Sequence, residues 1–267
     1  MKPIIIVRGG GDLATATIHR LHRAGFPVLV LETHRPAAIR RQVCFSEAVY
    51  QGSAQVEGVT ARLIREAEEA VEVWNAGEVP LLVDPEGTCI PQLRPAAVVD
   101  AILAKRNLGT HQNMAPLTIA LGPGFTAGQD VHFVIETMRG HNLGRIITEG
   151  TALPNTGVPG LVGGASGERV IHADHSGTLQ GIKSIGQLVE QGEPIAMICN
   201  QEGEFPVEAT ITGLLRGLIR DGFPVTKGLK IADIDPRQSE EKNCFTISDK
   251  ARCIAGSVLE LVCRYAR

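Results

Sequence analysis

The fold of the first part of the chain is decided by residues 4–14, which read IIIVRGGGDLA. The apolar run at residues 4–7 is typical of a buried strand. Gly9, Gly11 and Ala14 then occupy the three small positions of the G-x-G-x-x-A pattern that binds dinucleotides. This stretch therefore predicts a strand, a tight glycine turn and the first turn of a helix.

The residues that follow complete a strand–helix–strand unit. Ile18 and Leu21 continue the helical spacing, and a second apolar strand spans residues 28–31. Glu32 ends that strand, 21 positions after Gly11, where such folds place the acid that holds a ribose hydroxyl.

The glycine turn has two interpretations. Glycines let a ligand approach the backbone, and the helix N-terminus behind them favours an anion, so the turn predicts a site for a phosphate-bearing ligand. Asp12 argues against a pyrophosphate in the same place, although Arg8 offsets part of its charge. Glycines that serve only tight packing fit the pattern equally well. The candidate cofactor-binding residues in this half are Gly9, Gly10, Gly11, Asp12, Ala14 and Glu32.

Further strands and helices are expected before residue 113. A helical pattern covers residues 59–76, residues 81–83 form a short strand, and Pro95 is placed to begin another helix. Asp84 and Cys89 follow the strand and are candidates to line a site at the carboxyl edge of the sheet. Nothing near Cys89 marks a lowered pKa, so a semi-buried thiol is favoured over a nucleophile.

From residue 113 onward the pattern changes to short β-branched strands between glycine and proline turns, for example 117–121 and 131–135. Arg139 and His141 lie in a glycine-bearing turn and are candidates to hold an anionic group, because the guanidinium fork suits phosphate. A solvated turn accounts for them equally well. No set of histidine, cysteine or carboxylate residues has the spacing of a metal site.

An internal repeat dominates the second half of the chain. Residues 176–198 align with residues 212–234 at a constant offset of 36, with glycine on glycine at four positions. The two copies resemble the halves of a barrel-sandwich hybrid, the fold of biotinyl and lipoyl carriers. A carrier function is excluded because residues 184–226 contain no lysine to hold the cofactor.

These patterns together predict an α/β protein of two domains, a count that suits 267 residues. The first, over residues 1–112, is a Rossmann-like doubly wound layer. The second, over residues 113–267, is β-rich, holds the duplicated half-barrel and ends in a helix.

Composition excludes several classes of function. The net charge is −3 with both signs intermixed, which disfavours nucleic acid and anionic lipid as partners. No apolar run approaches the roughly 18 residues of a membrane helix, and the six cysteines form no regular framework. We expect a soluble cytoplasmic protein without a membrane partner.

Several long motifs carry a resemblance to a known family. The stretches VRGGGDLATA, RPAAVVDAILAKRN, LGPGFTAGQDVHFVIETMRGHNLGRII, PNTGVPG and GLKIADIDPR resemble the YqeB-type accessory family of selenium-dependent molybdenum hydroxylase systems, which is distantly XdhC-like. The resemblance implies a maturation factor that handles a pterin–molybdenum or nucleotide cofactor and has hydroxylase subunits as partners. It supplies no catalytic residue and does not decide whether the chain is an enzyme.

Two other classes of function stay open. The dinucleotide fingerprint and Glu32 are also typical of an NAD(P)- or flavin-dependent oxidoreductase, although no paired acid and base can be located. The second of these classes is a noncatalytic adaptor that docks hydroxylase subunits through the half-barrel.

Overall fold

The computed structural model describes residues 2–157 and 163–266. The chain forms two compact units. Unit 1 comprises Met1–Pro36, Cys44–Thr156 and Ile247–Arg267, and unit 2 comprises Ala37–Val43 and Gly157–Thr246. Residues 158–160 of the PNTGVPG stretch lie outside the described residues.

Unit 1 is built on a nine-stranded mixed sheet. The strands of this unit are β1 (Ile5–Arg8), β2 (Val28–Glu32), β3 (Ser53–Val56), β4 (Val59–Ile64), β5 (Val79–Val83), β6 (Ala97–Asp100), β7 (Leu117–Leu121), β8 (Thr126–Ala127), β9 (Phe133–Ile135), β10 (Ile146–Ile147) and β11 (Gly150–Thr151). The order across the sheet is β10-β9-β7-β6-β1-β2-β5-β4-β3, while β8 and β11 pair separately. The seven strands from β9 to β4 are parallel, and β10 and β3 add one antiparallel strand at each end.

The central strand β1 explains the apolar run at the start of the sequence. Ile5, Ile6 and Val7 are fully buried, because a parallel strand in the middle of a sheet is covered on both faces. The strand, glycine turn, helix and second strand predicted for this region occur where the pattern placed them.

The helices of unit 1 are α1 (Asp12–Arg23), α2 (Ala48–Gln51), α3 (Ala70–Asn75), α4 (Ile90–Leu93) and α5 (Asp249–Tyr265). Helix α1 packs on β1 and β2, α5 packs on β7 and β9, and the two helices pack against each other. Ser248 caps α5 by accepting a hydrogen bond from the amide of Ala251 at 3.2 Å. Within the described residues, no helix combines the length and apolar character that crossing a bilayer requires.

The predicted fold class is wrong. The strands between residues 117 and 147 do not begin a β-rich half-barrel domain but extend the sheet of β1, and the C-terminal helix α5 packs on α1. The boundary predicted between residues 112 and 113 falls inside unit 1. The pairing of β6 with β7 and β9 with β7 decides this architecture, and a local sequence pattern does not report which strands become neighbours.

Two predicted helices are also corrected. Residues 59–64 form β4, which pairs in parallel with β5, and the helical segment starts only after a capping box formed by Glu66 and Glu69. The residues after Pro95 form the buried strand β6. Apolar residues in both stretches satisfy helical spacing as well as strand alternation, so periodicity alone cannot separate the two structures over so few residues.

Unit 2 consists of two four-stranded antiparallel sheets. Its strands are β12 (Val170–His172), β13 (Gly177–Gly181), β14 (Leu188–Val189), β15 (Pro194–Asn200), β16 (Gly203–Glu208), β17 (Gly213–Leu218), β18 (Pro224–Val225) and β19 (Lys230–Asp235). One sheet has the order β12-β19-β17-β14 and the other β16-β15-β13-β18. Leu179, Ile195, Leu215 and Ile231 are fully buried in the core of this unit.

The strands of the two copies of the sequence repeat start at matching positions. Strands β13, β14 and β15 start at residues 177, 188 and 194, and β17, β18 and β19 each start 36 residues later. The short strand β14 pairs with β17 of the other copy, and β18 pairs with β13. Each copy thus contributes its short strand to the sheet of the other.

Matching glycines stand where two backbones of the repeat approach closely. A Cβ atom at Gly177 would lie 2.5 Å from the carbonyl oxygen of Cys199, and a Cβ at Gly213 would collide with that of Asp235. Any side chain at either position would push the strands apart, which explains why both copies have glycine there.

Candidate functional site

The parallel strands of unit 1 end in charged residues at one edge of the sheet. Arg8, Glu32 and Asp100 end β1, β2 and β6, and Asp84 and Glu136 directly follow β5 and β9. Glu32 is partly buried and the other four are buried. Open α/β sheets bind their ligands at this carboxyl edge, so these residues are candidates for a binding site.

The centre of this edge is the point where the chain changes direction across the sheet. From β1 the chain continues to β2 on one side, and it later returns to β6 on the other side. Arg8 and Asp100 are direct neighbours in the register there. They meet through Thr110, whose Oγ1 accepts a hydrogen bond from Arg8 Nη1 at 2.5 Å and donates one to Asp100 Oδ2 at 2.6 Å.

The protein's own chain fills this central crevice. Arg8 Nη2 donates to the carbonyl of Pro85 at 2.7 Å, and the amide of Ile102 donates to Asp100 at 3.2 Å. Burial raises the pKa of Asp100, against the hydrogen bonds from Thr110 and Ile102 and the charge of Arg8. We interpret this group as a structural cluster that fixes the segment after β6.

Two of the three turn glycines accommodate the protein itself. A Cβ at Gly9, whose φ is +99°, would lie 2.9 Å from the carbonyl oxygen of Ala101, and a Cβ at Gly10 would lie 2.9 Å from the amide of Ser46. Gly11 differs, because a Cβ there would meet nothing within 4 Å. The packing interpretation therefore accounts for Gly9 and Gly10, and the ligand interpretation applies only to Gly11.

Glu32 stabilises the turn. Its Oε2 accepts a hydrogen bond from the amide of Gly10 at 2.7 Å, and its Oε1 accepts one from the amide of Thr33, also at 2.7 Å. Burial raises the pKa of this carboxyl, although both amide bonds favour the ionised form. Since the carboxylate already occupies the Gly10 amide, a phosphate cannot bind that amide at the same time.

The N-terminus of α1 remains open to a ligand. Gly11 is its N-cap residue and provides no side-chain cap, and the space beside Gly11 is free. The first amides of a helix lack partners within the helix and carry partial positive charge. Ala14, the third small position, is fully buried one turn into the helix.

A lysine from the end of the chain stands beside this helix start. Lys250, in the first turn of α5, is partly buried and interacts electrostatically with Asp12, Glu136, Arg139 and Asp249. Burial lowers its pKa, the charge of Arg139 lowers it further, and the acids oppose the shift.

Arg139 and His141 differ in their surroundings. Arg139 forms a two-pronged ion pair with Asp249, with Nη–Oδ distances of 2.9 and 3.0 Å, and both side chains are substantially exposed. His141 is exposed in the turn that follows. The structure thus places Arg139 near the charges around Asp12. It does not group His141 with them. We call Gly11, Asp12, Arg139 and Lys250 the α1 site.

Asp84 and Cys89 form a tight loop of their own. Asp84 accepts hydrogen bonds from the amides of Thr88 and Cys89 at 2.9 and 3.0 Å. Burial and the neighbouring Asp84 carboxylate raise the pKa of the Cys89 thiol to about 12. The thiol is therefore protonated at neutral pH and is a poor nucleophile.

Sequence patterns missed Lys250 and Glu136. Lys250 is 238 residues from Asp12 in the chain, and only the Ser248 cap marks its position at a helix start. Glu136 is buried, and its two oxygens accept the amides of Met138 and Leu153 at 2.7 and 2.8 Å. Among residues 2–157 and 163–266, no group of three or more histidines, cysteines and acids is placed to hold a metal ion.

Comparison with known proteins gives one clear sequence relative. No protein-family profile matches the chain. The chain is similar to YqeB. This Escherichia coli (strain K12) protein, named as uncharacterized, is 49% identical over 257 residues, which cover 96% of the chain and 47% of the relative. The chain thus spans about half the length of the curated relative that it matches. The predicted distant likeness to XdhC stays a prediction.

Solved structures give only weak similarity. The apo form of the ectoine utilization protein EutE (DoeB) from Ruegeria pomeroyi aligns over 87% of this chain and 86% of its own, with 10% identity and a TM-score of 0.28. A succinylglutamate desuccinylase/aspartoacylase from Rhodobacter sphaeroides aligns over 87% and 85%, with 15% identity and a TM-score of 0.29. Scores this low assign no shared fold, substrate or reaction to this chain.

Proposed function

We propose that the protein binds a small phosphate-bearing cofactor at the α1 site and acts as an accessory factor in the maturation of a selenium-dependent molybdenum hydroxylase. The observation that carries the binding proposal is the partly buried Lys250 ammonium, which interacts electrostatically with Asp12 at the start of α1, a helix end without a side-chain cap. The maturation role rests on the sequence resemblance and on the 49% identity with YqeB, whose name states no activity.

The chemistry of the α1 site suits an anion that arrives from solvent. A phosphate at Gly11 would accept hydrogen bonds from the first amides of α1, which the helix dipole favours. Lys250 would offset the repulsion from Asp12 and neutralise part of the phosphate charge as a point cation. Arg139 would contribute its guanidinium by exchanging part of its exposed pairing with Asp249, which is weakly held because exposed ion pairs contribute little.

A dinucleotide-dependent oxidoreductase is less well supported. The acid expected to hold a ribose is Glu32, and both of its oxygens already accept backbone amides. No paired acid and base is assigned at the edge either, because Asp84, Asp100 and Glu136 are each held by backbone or threonine donors.

Calorimetric titration of the full chain with inorganic pyrophosphate, molybdopterin, NAD and FAD tests the binding. We expect pyrophosphate and molybdopterin to bind. Lys250→Gln should weaken both by about 1.5–3 kcal/mol, the range for a charge-assisted hydrogen bond. Gly11→Leu should block close approach without unfolding the chain, because that position is open. Lys242→Gln, at an exposed lysine of unit 2, is the matched control and should bind as the wild type does.

The outcomes separate the site from the role. If none of the four ligands binds, or if Lys250→Gln and Lys242→Gln bind alike, the α1 site is not a phosphate site. If pyrophosphate and molybdopterin bind but the protein does not speed reconstitution of an apo molybdenum hydroxylase with molybdopterin, the maturation role is wrong. Tight NAD or FAD binding that depends on Gly11 would favour the oxidoreductase.

A further inference from the structure

A cavity lies at the opposite edge of the unit 1 sheet. Its volume is about 610 Å³, and it is lined by three chain segments at residues 2–4, 90–96 and 113–116. These segments directly precede or contain the starts of β1, β6 and β7, so the cavity sits at the amino edge, away from the α1 site. The volume lies within the 300–1,000 Å³ typical of small-molecule sites.

The wall of this amino-edge pocket is rigid. Four prolines line it: Pro3, Pro91, Pro95 and Pro116. Proline has a fixed φ and no amide proton, so this wall loses little entropy on binding and offers few donors to water. The segments are tied together, since the amide of Ala96 donates to Ile4 and that of Leu117 donates to Ala96.

The floor of the pocket is apolar. Ile4, Ile90 and Met114 line it and also pack in the buried cluster around β1, β2 and β6. The floor is therefore a continuation of the hydrophobic core, and an apolar group placed there would be removed from water.

The charged groups of the pocket are both cations. Only Lys2 and Arg94 among its lining residues carry a charge. Lys2 is engaged elsewhere, because its ammonium donates to the carbonyl of Ala24 and lies 4.5 Å above the Phe26 ring. Arg94 is exposed. Its amide donates to the carbonyl of Ile90, whereas its guanidinium makes no hydrogen bond or ion pair within residues 2–157 and 163–266.

The backbone of Arg94 is strained. Its φ and ψ are 44° and 60°, the left-handed region, at the C-terminal cap of α4. Glycine adopts this conformation without cost and is the usual residue at such a cap, whereas a side chain here is disfavoured. An arginine at this position is thus worse for the fold than glycine, and strain of this kind is found at ligand sites.

We propose that the amino-edge pocket binds a small anion with an apolar body, such as an aromatic carboxylate, with the Arg94 guanidinium holding the acid group and Ile4, Ile90 and Met114 holding the ring. This site is independent of the α1 site and of the proposed maturation role.

Methyl NMR of the full chain with ¹³C-labelled methionine tests the proposal. Met114 is one of four methionines and reports directly on the pocket. The probe is 2-naphthoate, and the uncharged control ligand is 2-naphthamide. We expect naphthoate to shift the Met114 methyl signal in a saturable way and to bind about tenfold more tightly than the amide, as one charge-assisted contact requires.

Substitution of Arg94 separates binding from folding. Arg94→Gly should raise Tm by about 2 °C by relieving the left-handed strain and should weaken naphthoate about tenfold. Arg94→Lys should recover part of the affinity. The matched control is Lys105→Gly, which relieves a similar left-handed residue, φ 62°, in unit 1 and should leave naphthoate binding unchanged.

Three results would overturn the proposal: no movement of the Met114 signal, equal affinity for naphthoate and naphthamide, or unchanged naphthoate binding by Arg94→Gly. Because Arg94→Gly is expected to fold at least as well as the wild type, a loss of binding cannot be attributed to unfolding.

Discussion

At the residue scale, Lys250 links the α1 site to the stability of the protein. Burial lowers the pKa of its ammonium below the ordinary value of 10.5. A lysine whose pKa is lower in the folded than in the unfolded protein makes folding less favourable when it is protonated. This cost is absent above the unfolded pKa, and it is present in full once the pH has fallen below the folded pKa. Below that pH the charged lysine is a cost to folding, which is common where a residue is retained for binding.

Replacing this lysine with an apolar residue should therefore stabilise the protein in a pH-dependent way. We expect Lys250→Met to have a higher Tm than the wild type at pH 6, and the difference to shrink as the pH rises through the folded pKa toward 10.5. Thermal unfolding from pH 6 to pH 10.5 measures this. The exposed control Lys242→Met should show no such trend, and a Tm difference for Lys250→Met that is constant with pH would contradict the prediction.

The sequence predicts the position of the glycine turn after β1 but not the contacts that each residue of the turn makes. The G-x-G-x-x-A spacing places Gly11 in the turn between β1 and α1 and Glu32 at the end of β2, because both positions follow from local strand and helix patterns. It could not show that Glu32 accepts the amide of Gly10. Nor could it show Lys250 beside Asp12, because that proximity requires α5 to pack on α1 across most of the chain.

At the scale of secondary-structure elements, the repeat makes a symmetric prediction. Gly177 starts β13 and Gly213 starts β17, and both face a carbonyl oxygen of the neighbouring strand. Gly177→Ala and Gly213→Ala should each destabilise unit 2 by about 1–3 kcal/mol or more, the usual cost of overpacking. Urea unfolding followed by far-UV circular dichroism measures the loss.

The repeat also supplies the control. A Cβ at Gly181 would meet its nearest atom at 3.8 Å, which is ordinary contact. Gly181→Ala should therefore cost much less than either of the other two substitutions. If all three substitutions lower the free energy of unfolding equally, the close approach of the two backbones is not the reason for glycine at residues 177 and 213.

The sequence predicts some elements of the first half correctly and others wrongly, and the length of each element explains the difference. Helix α1 was found because its apolar stripe is long and is bounded by glycine at both ends. The pattern predicts a helix where β4 lies, because six residues are too few to separate a period of 3.6 from a period of 2. The cap at Glu66 was the available signal that the helix starts later.

At the scale of the whole molecule, the last helix completes the first unit. Ile254, Val258 and Leu261 of α5 are buried, and each buried aliphatic side chain contributes about 1.5–3 kcal/mol. Deleting residues 247–267 should therefore unfold unit 1 or lower its urea midpoint strongly. The single tryptophan, Trp74, reports on this unit, since its indole donates to the carbonyl of Val28 at 2.8 Å.

Trp74 fluorescence during urea unfolding measures this effect. The deletion should shift the emission to the red at low urea, and Ile254→Ala should give a smaller loss of about 2–5 kcal/mol with native emission retained. A deletion variant with the wild-type midpoint and emission would mean that the sheet of unit 1 is stable without α5.

The division of unit 1 among three chain segments has a consequence for synthesis on the ribosome. Every residue assigned to unit 2 precedes Ile247, whereas α5 of unit 1 begins at Asp249. Proteins made in the usual order complete their N-terminal domain first. Here unit 1 starts before unit 2 in the chain and is completed after it, so the α5-facing surface of α1 stays unprotected until α5 has been synthesised. Before α5 is made, this surface of α1 is available to chaperones that bind exposed apolar helix surfaces.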